Sequence, residues 1–163
     1  MRLSVQVRYA VVLCTLCAVA VFSACRSTAV PKAEQRAYDR AVAAYDAERY
    51  RVAATRFTDF LMNYPDSRLT PIAWFYLADS YRALRLYQNA SDAYDHCLAA
   101  EPYAPLVPNV LYHKGRVMEK LGQKEQAAIV YEQLVREYAE AGAHYGDWVD
   151  LARERLKDLG VPN

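Results

Sequence analysis

Between Thr70 and Leu84 the apolar residues Trp74, Leu77, Ala78 and Tyr81 fall three and four apart, the spacing of a helix with one buried face. Thr70 is placed to cap this helix, and Pro71 at its first position sacrifices no backbone hydrogen bond. Pro108, behind Val107, starts another helix in the same way. The pattern of small and bulky positions then recurs at a constant spacing of 37 residues. Ala41, Ala78 and Gly115 form one column of small residues, and Ala53, Ala90 and Ala127 form a second. Phe57, Tyr94 and Tyr131 form an aromatic column, and Ala37, Trp74, Leu111 and Trp148 a fourth. A fixed period of roughly 20 to 50 residues means stacked supersecondary units, none of which buries its apolar face alone.

Each unit reads as two helices joined by a short turn, at Glu48–Tyr50, Leu86–Gln88 and Gly122–Lys124, with Gly122 suited to the residue just past a helix end. The second helices set Ala53, Phe57 and Leu61, then Ala90, Tyr94 and Leu98, then Ala127, Tyr131 and Val135, each on one face at a spacing of four. Alanine allows two helices to approach closely, and the aromatic residue fills the space beyond. A last segment, Tyr145–Leu159, repeats the first-helix phase with Trp148, Leu151 and Ala152 before Gly160 and Pro162 end it.

These columns resemble the tetratricopeptide repeat. Residues Pro71 to Ala104 hold Trp74, Leu77, Ala78, Tyr81, Ala90, Tyr94, Cys97 and Pro102 at the spacings of that family's signature. The first repeat keeps Ala41, Ala53, Phe57 and Pro65 but has Arg40 and Ala44 where Leu and Tyr are usual. The third keeps Gly115, Ala127 and Tyr131 but has Lys114 and Ala139 in the Leu and Pro slots. The resemblance implies an all-α fold, a right-handed superhelical array of about three helical hairpins plus a C-terminal capping helix, over residues 33–160. It also implies a partner-binding concave face on the first helices, made of Tyr38, Tyr45, Phe75, Asp79, Arg82, Tyr112, Arg116 and Glu119. Aromatic side chains there supply contact area at low entropic cost, and arginine holds carboxylates in bidentate pairs. The column Tyr38, Phe75 and Tyr112 suits core packing equally well, and the two readings stay open.

The N-terminus supplies an address. Arg2 and Arg8 precede the uncharged run Ala10–Phe22, which is shorter than the ~20 apolar residues a membrane-spanning helix needs. Residues Phe22–Cys25, FSAC, resemble the bacterial lipobox, with Phe22 where an aliphatic residue is usual. The expectation is a lipoprotein signal peptide over residues 1–24, lipidation of Cys25, and a tether over residues 25–32. Residue 26 is Arg rather than Asp, so the inner-membrane retention signal of many bacterial lipoproteins is missing, and the resemblance places the protein at the outer membrane facing the periplasm. Cys14 and Cys17 leave with the signal peptide, which leaves Cys97 as a small buried residue on a helical apolar face.

Losing residues 1–24 moves the formal net charge from +1 to −1, because Arg2 and Arg8 are the charged residues there. Mixed charges along the helices and the lack of a basic cluster with interleaved aromatics speak against nucleic acid. His96, His113 and His144 are scattered, so no metal site is expected, and there is no phosphate loop or nucleophile motif. The chain reads as non-enzymatic and without cofactor. The link Asn63–Ser67, NYPDS, in a lipoprotein resembles the envelope subfamily that includes BamD, and the C-terminal half of CpoB. That likeness implies a lipid-anchored periplasmic scaffold recruiting an envelope protein or an extended peptide, with a role in outer-membrane β-barrel assembly favoured. A Tol-Pal or cell-division coordinator and a ligand-delivery module for a transporter are the alternatives.

Overall fold

A computed structural model of the protein describes residues 29–142 and 145–160. The signal segment, the first half of the tether with Cys25, and His144 lie outside the described residues. The described residues contain seven α-helices: α1 (Lys32–Asp46), α2 (Tyr50–Asn63), α3 (Thr70–Ala83), α4 (Tyr87–Ala99), α5 (Val107–Lys120), α6 (Lys124–Tyr138) and α7 (Gly146–Asp158). A 3-10 turn, Ala104–Leu106, leads into α5. The helices form three hairpins and one terminal helix. Each packs on its neighbours in sequence, with further contacts between α1 and α3 and between α5 and α7. This is the all-α superhelical array the 37-residue period predicts.

The columns are the core. Ala41 and Ala78, then Ala53, Ala90 and Ala127, and the aromatic residues Phe57, Tyr94 and Tyr131 are all fully buried. One apolar cluster runs through α1 to α4 and takes Leu106, Val110 and Val117 from the third repeat. A second joins α5, α6 and α7 through Leu111, Tyr112, Tyr131, Leu134, Val149, Ala152 and Leu156, and Leu98 packs against both.

The hairpin turns obey the same period. Glu48, Arg85 and Gly122 take positive φ of 56°, 59° and 76°, each as the second residue after its helix. In each case this residue's N–H donates three residues back, and the following N–H donates five back: Arg49 to Ala44 at 2.9 Å, Leu86 to Tyr81 at 2.9 Å, and Gln123 to Met118 at 2.9 Å. These are Schellman closures, in which orphan carbonyls of the helix end find donors. The turns therefore occupy residues 47–49, 84–86 and 121–123, slightly earlier than the sequence pattern suggests.

Two local expectations are corrected. Thr70 is the first residue of α3 and not its cap; its hydroxyl instead donates to the carbonyls of Tyr64 and Pro65, at 3.2 and 3.1 Å, tying the helix start to the NYPDS link. In α7 the inward residues are Val149, Ala152 and Leu156, while Leu151 is 38 % exposed. Its column mate Leu77 is buried within a complete hairpin, and among the described residues no helix follows α7 to build such a cover.

Candidate functional site

The first helices α1, α3 and α5 carry the polar and aromatic residues that the repeat pattern nominates. Asp79 on α3 is the centre of the second repeat and is only 6 % exposed. Its carboxylate accepts from Tyr45 Oη at 2.9 Å, Tyr94 Oη at 2.6 Å and Arg82 Nε at 2.8 Å. Tyr45 comes from α1 and Tyr94 from α4, so one carboxylate joins three helices of two repeats. Burial alone pushes the Asp79 carboxyl up, but the hydrogen bonds from Arg82 and Tyr94 and the Arg82 charge outweigh it and hold the group below its ordinary value. The same contacts raise the Tyr94 and Tyr45 hydroxyls far above their ordinary range, chiefly through burial and then through the Asp79 charge.

The third repeat builds an equivalent node with its charges exchanged. Where the second repeat has Asp79 and Arg82, residues 37 later are Arg116 and Glu119. Tyr131, the column mate of Tyr94, donates to Glu119 Oε1 at 2.6 Å. Arg155 of α7 closes on the same carboxylate, Nε to Oε1 at 3.0 Å and Nη2 to Oε2. Burial opposes ionisation of Glu119 too, and the hydrogen bonds from Arg155 and Tyr131 reverse it, so its carboxyl also lies below the ordinary value. Arg116 is left at 3.9 Å from Glu119 Oε1 and donates from Nη1 to Tyr112 Oη at 3.2 Å.

The aromatic positions of the first helices divide between surface and core. Tyr38 is half-buried and packs edge-on to Phe57, Phe60 and Tyr76, at centroid distances of 6.0, 5.9 and 6.4 Å. Thirty-seven residues on, half-buried Phe75 meets Tyr76 at 5.6 Å and Tyr94 at 6.3 Å. Tyr112 is 8 % exposed and lies against Tyr131 and Trp148. Tyr76 is the hub of the first patch, stacked on Phe57 at 5.6 Å and edge-on to Tyr45 at 5.0 Å. His113, its column mate, takes the corresponding place beside Tyr112 and Trp148. Burial depresses the His113 pKa, so the ring is neutral at neutral pH.

The structure thus brings Tyr45, Asp79 and Arg82 together, and separately Tyr112, Arg116 and Glu119, while Tyr38 and its column mate Phe75 meet through Tyr76. Tyr94, Tyr131 and Arg155 complete the nodes and were not among the partner-face residues that the resemblance implied, the two tyrosines having been read as core. The signal for the two tyrosines was present: their column is Phe57 in the first repeat, and a hydroxyl appears only where a carboxylate stands nearby. Cys97 is buried, its S–H pointing to the Pro71 carbonyl with sulfur and oxygen 3.2 Å apart, and burial pushes the thiol up to about 12. Such a thiol is a packing residue and not a nucleophile at neutral pH.

Solved structures with the same architecture include PcrH from Pseudomonas aeruginosa (TM-score 0.66, 16 % identity, covering 83 % of this chain and 98 % of that one). PcrH in complex with the chaperone binding region of PopD gives a TM-score of 0.66 at 17 % identity, covering 77 % of this chain and 90 % of that one. The Sgt2 TPR domain from Aspergillus fumigatus gives 0.60 at 15 % identity, covering 84 % and 87 %. At these identities the likeness is one of fold. No curated protein matches the sequence. Two family models, each described as "Tetratricopeptide repeat", match residues 38–105 and 109–141, which together make up well over half of the chain. With the repeat columns buried as that family requires, the chain belongs to the tetratricopeptide-repeat family.

Proposed function

We propose that this protein is a lipid-anchored scaffold of the bacterial envelope, facing the periplasm from the outer membrane, that holds a segment of another protein on the face of α1, α3 and α5. Its repeat architecture is that of a protein–protein interaction scaffold. The observation that carries the placement of the partner is a contrast between two aromatic columns. Phe57, Tyr94 and Tyr131 on the second helices are fully buried, whereas of the first-helix column Tyr112 is buried but Tyr38 and Phe75 keep part of their rings at the surface. Aromatic side chains left half-covered on a rigid face are common anchors of protein recognition. PcrH, of the same fold, has been solved with the chaperone binding region of PopD, so this architecture accommodates a segment of another chain.

The envelope address rests on the residues that precede the array: Arg2, Arg8, the apolar run Ala10–Phe22 and the lipobox-like FSAC ending at Cys25. A multiply acylated cysteine gives stable attachment, where a single chain gives only marginal binding. Within this reading the NYPDS link favours a BamD-like role in β-barrel assembly. The test is in-cell crosslinking of the affinity-tagged protein, compared with a Cys25→Ser variant fed the same labelled fatty acid. Incorporation of the label at Cys25, with β-barrel assembly subunits crosslinked, is the expected result. Label-free protein, or crosslinks to Tol-Pal components only, overturns the anchor or the BamD-like role respectively.

A further inference from the structure

One position of the repeat forms a cavity twice, with different chemistry each time. Between the first and second hairpins a cavity of about 330 Å³ is lined, on the side of the second repeat, by Trp74, Leu77, Ala93 and His96. Thirty-seven residues earlier, Ala37, Arg40, Arg56 and Asp59 line a cavity of about 350 Å³ on the first hairpin. No hairpin precedes the first among the described residues, so this cavity opens on an end face of the array. Two positions that are apolar inside the array, Leu77 and Ala93, are thus arginines at its end.

An end face is polar because no repeat covers it, but polarity alone does not ask for two like charges beside one opening. Arg56 Nη1 donates to the Arg40 carbonyl at 2.8 Å, which holds its guanidinium against α1 at the cavity that Arg40 also lines. Among the described residues neither guanidinium is ion-paired, and Asp59, the carboxylate of the cavity, makes no ion pair with either. The third repeat supplies the contrast: Lys114, in the column of Arg40, has its charge met by Asp95. The end-face cavity therefore keeps an unmatched positive charge. Its volume falls within the ~300–1,000 Å³ of small-molecule sites, enough for one phospholipid headgroup. Arginine holds phosphate oxygens in bidentate pairs.

Two features of the chain say which anion comes near. Residues 26–69 hold eight basic and six acidic residues, a net +2, whereas residues 70–163 hold ten and thirteen, a net −3. The positive end is the one beside the anchor. Cys25 lies seven residues before Lys32, so an acylated Cys25 keeps the start of α1 within about 25 Å of the bilayer surface. An anionic surface attracts basic residues and repels the acidic far end, but only within roughly a Debye length, ~8–10 Å. Docking of the end face brings Arg40 and Arg56 inside that range.

We propose that the outer side of the first hairpin is a membrane-docking face, which seats the phosphate of an anionic phospholipid between Arg40 and Arg56. The nearness of the bilayer rests on the Cys25 anchor proposed above; the preference of the cavity for an anion does not. Val52, 40 % exposed, shares the column of Asn89, which lines the inner cavity, and so lies on the same end face but near the α1–α2 turn, away from the tether. The protein purified from cell membranes is given a fluorophore at Val52→Cys or, as a control on the third hairpin, at Ile129→Cys, 63 % exposed. It is reconstituted in vesicles that carry a nitroxide-headgroup lipid in phosphatidylcholine, alone or mixed with phosphatidylglycerol. Strong quenching of Val52 only with phosphatidylglycerol, and of Ile129 with neither, is the expected result. Arg40→Gln should weaken docking about fivefold, and Arg40→Gln/Arg56→Gln at least about tenfold. Both side chains are exposed, and Arg40 makes no side-chain hydrogen bond among the described residues, so the fold survives its loss. Equal quenching of Val52 in both vesicles, quenching unmoved in both variants, or an end face covered by a second copy, seen as energy transfer between Val52 labels, overturns the proposal. The mass of the purified chain reads the anchor independently. An acylated chain without Val52 quenching sinks the docking face and spares the anchor. A chain without lipid sinks the anchor; the face then stands if that chain floats with the anionic vesicles more than its Arg40→Gln variant does, and falls if the two float alike.

Discussion

Tyr94 donates its hydroxyl to Asp79 Oδ1 at 2.6 Å in a place where the tyrosine is fully buried and the aspartate 6 % exposed. The first repeat solves the same position without polarity, with Phe57 in place of Tyr94 and Val42 in place of Asp79. Hydroxyl and carboxylate come and go together, as a buried donor with no acceptor would require.

That pairing predicts a non-additive double mutant. Asp79→Val alone strands the Tyr94 hydroxyl and should cost about 2–3 kcal/mol, and Tyr94→Phe alone about 1–2 kcal/mol. The pair together reproduces the first repeat's own Phe57 and Val42, and should cost less than the sum by about 1–2 kcal/mol. Urea unfolding of the four proteins measures this. Strict additivity would show that the two side chains do not depend on each other.

Acid should weaken the fold through both nodes. Asp79 and Glu119 have folded-state pKa values below their ordinary ones, so each contributes stability that is present above the unfolded-chain value, near pH 4, and is lost as pH falls through the folded value. The urea midpoint should therefore drop as pH falls below about 5, and the Asp79→Val/Tyr94→Phe protein should lose less over that range than the parent. An equal loss in both would place the acid sensitivity elsewhere.

Backbone and packing requirements separate two glycines that the sequence makes look alike, Gly115, where a ring leaves no room, and Gly122, where φ is positive. A Cβ on Gly115 would lie 2.5 Å from Tyr131 Cε1 and 2.6 Å from Cζ, inside a fully buried ring. Gly115→Ala should thus cost about 1–3 kcal/mol, despite a helix-propensity gain of up to about 1 kcal/mol. Arg85, at φ 59°, sits where Gly122 sits one repeat later, and Arg85→Gly should raise stability by about 0.5–1 kcal/mol. Thermal melts decide both, and a stabilised Gly115→Ala or a destabilised Arg85→Gly would contradict the geometry.

Cys97 should be silent toward thiol reagents. With the other three cysteines replaced by serine, the native protein should resist a chromogenic disulfide reagent at about pH 8 and react once unfolded in urea, since burial pushes the thiol up to about 12. Rapid labelling of the native protein would show that the α3–α4 interface opens.

The helices, their pairing and their buried columns were legible because a 37-residue period samples the same steric demand repeatedly: a small residue wherever Phe57, Tyr94 or Tyr131 approaches. The hairpin turns were harder to place, because Glu48 and Arg85 adopt a conformation their side chains disfavour and only Gly122 signals it. Thr70 misleads as a cap because its hydroxyl has two nearby carbonyls to serve and turns away from the helix amides. Leu151 misleads because its apolar column needs a covering helix that α7 does not have among the described residues. Asp79 and Glu119 were found as polar residues of the first helices, but what they bind within the array depends on Tyr45 and Arg155, 34 and 36 residues away, distances that no local pattern encodes.

The most direct measurement is to place a photoactivatable amino acid at Phe75 and, separately, at Ile129, which is 63 % exposed on α6, and to irradiate living cells. If the first helices hold the partner, Phe75 gives a discrete crosslinked protein band that Ile129 does not. Equal crosslinking from both positions, or a band from Ile129 alone, would contradict a partner seated on α1, α3 and α5.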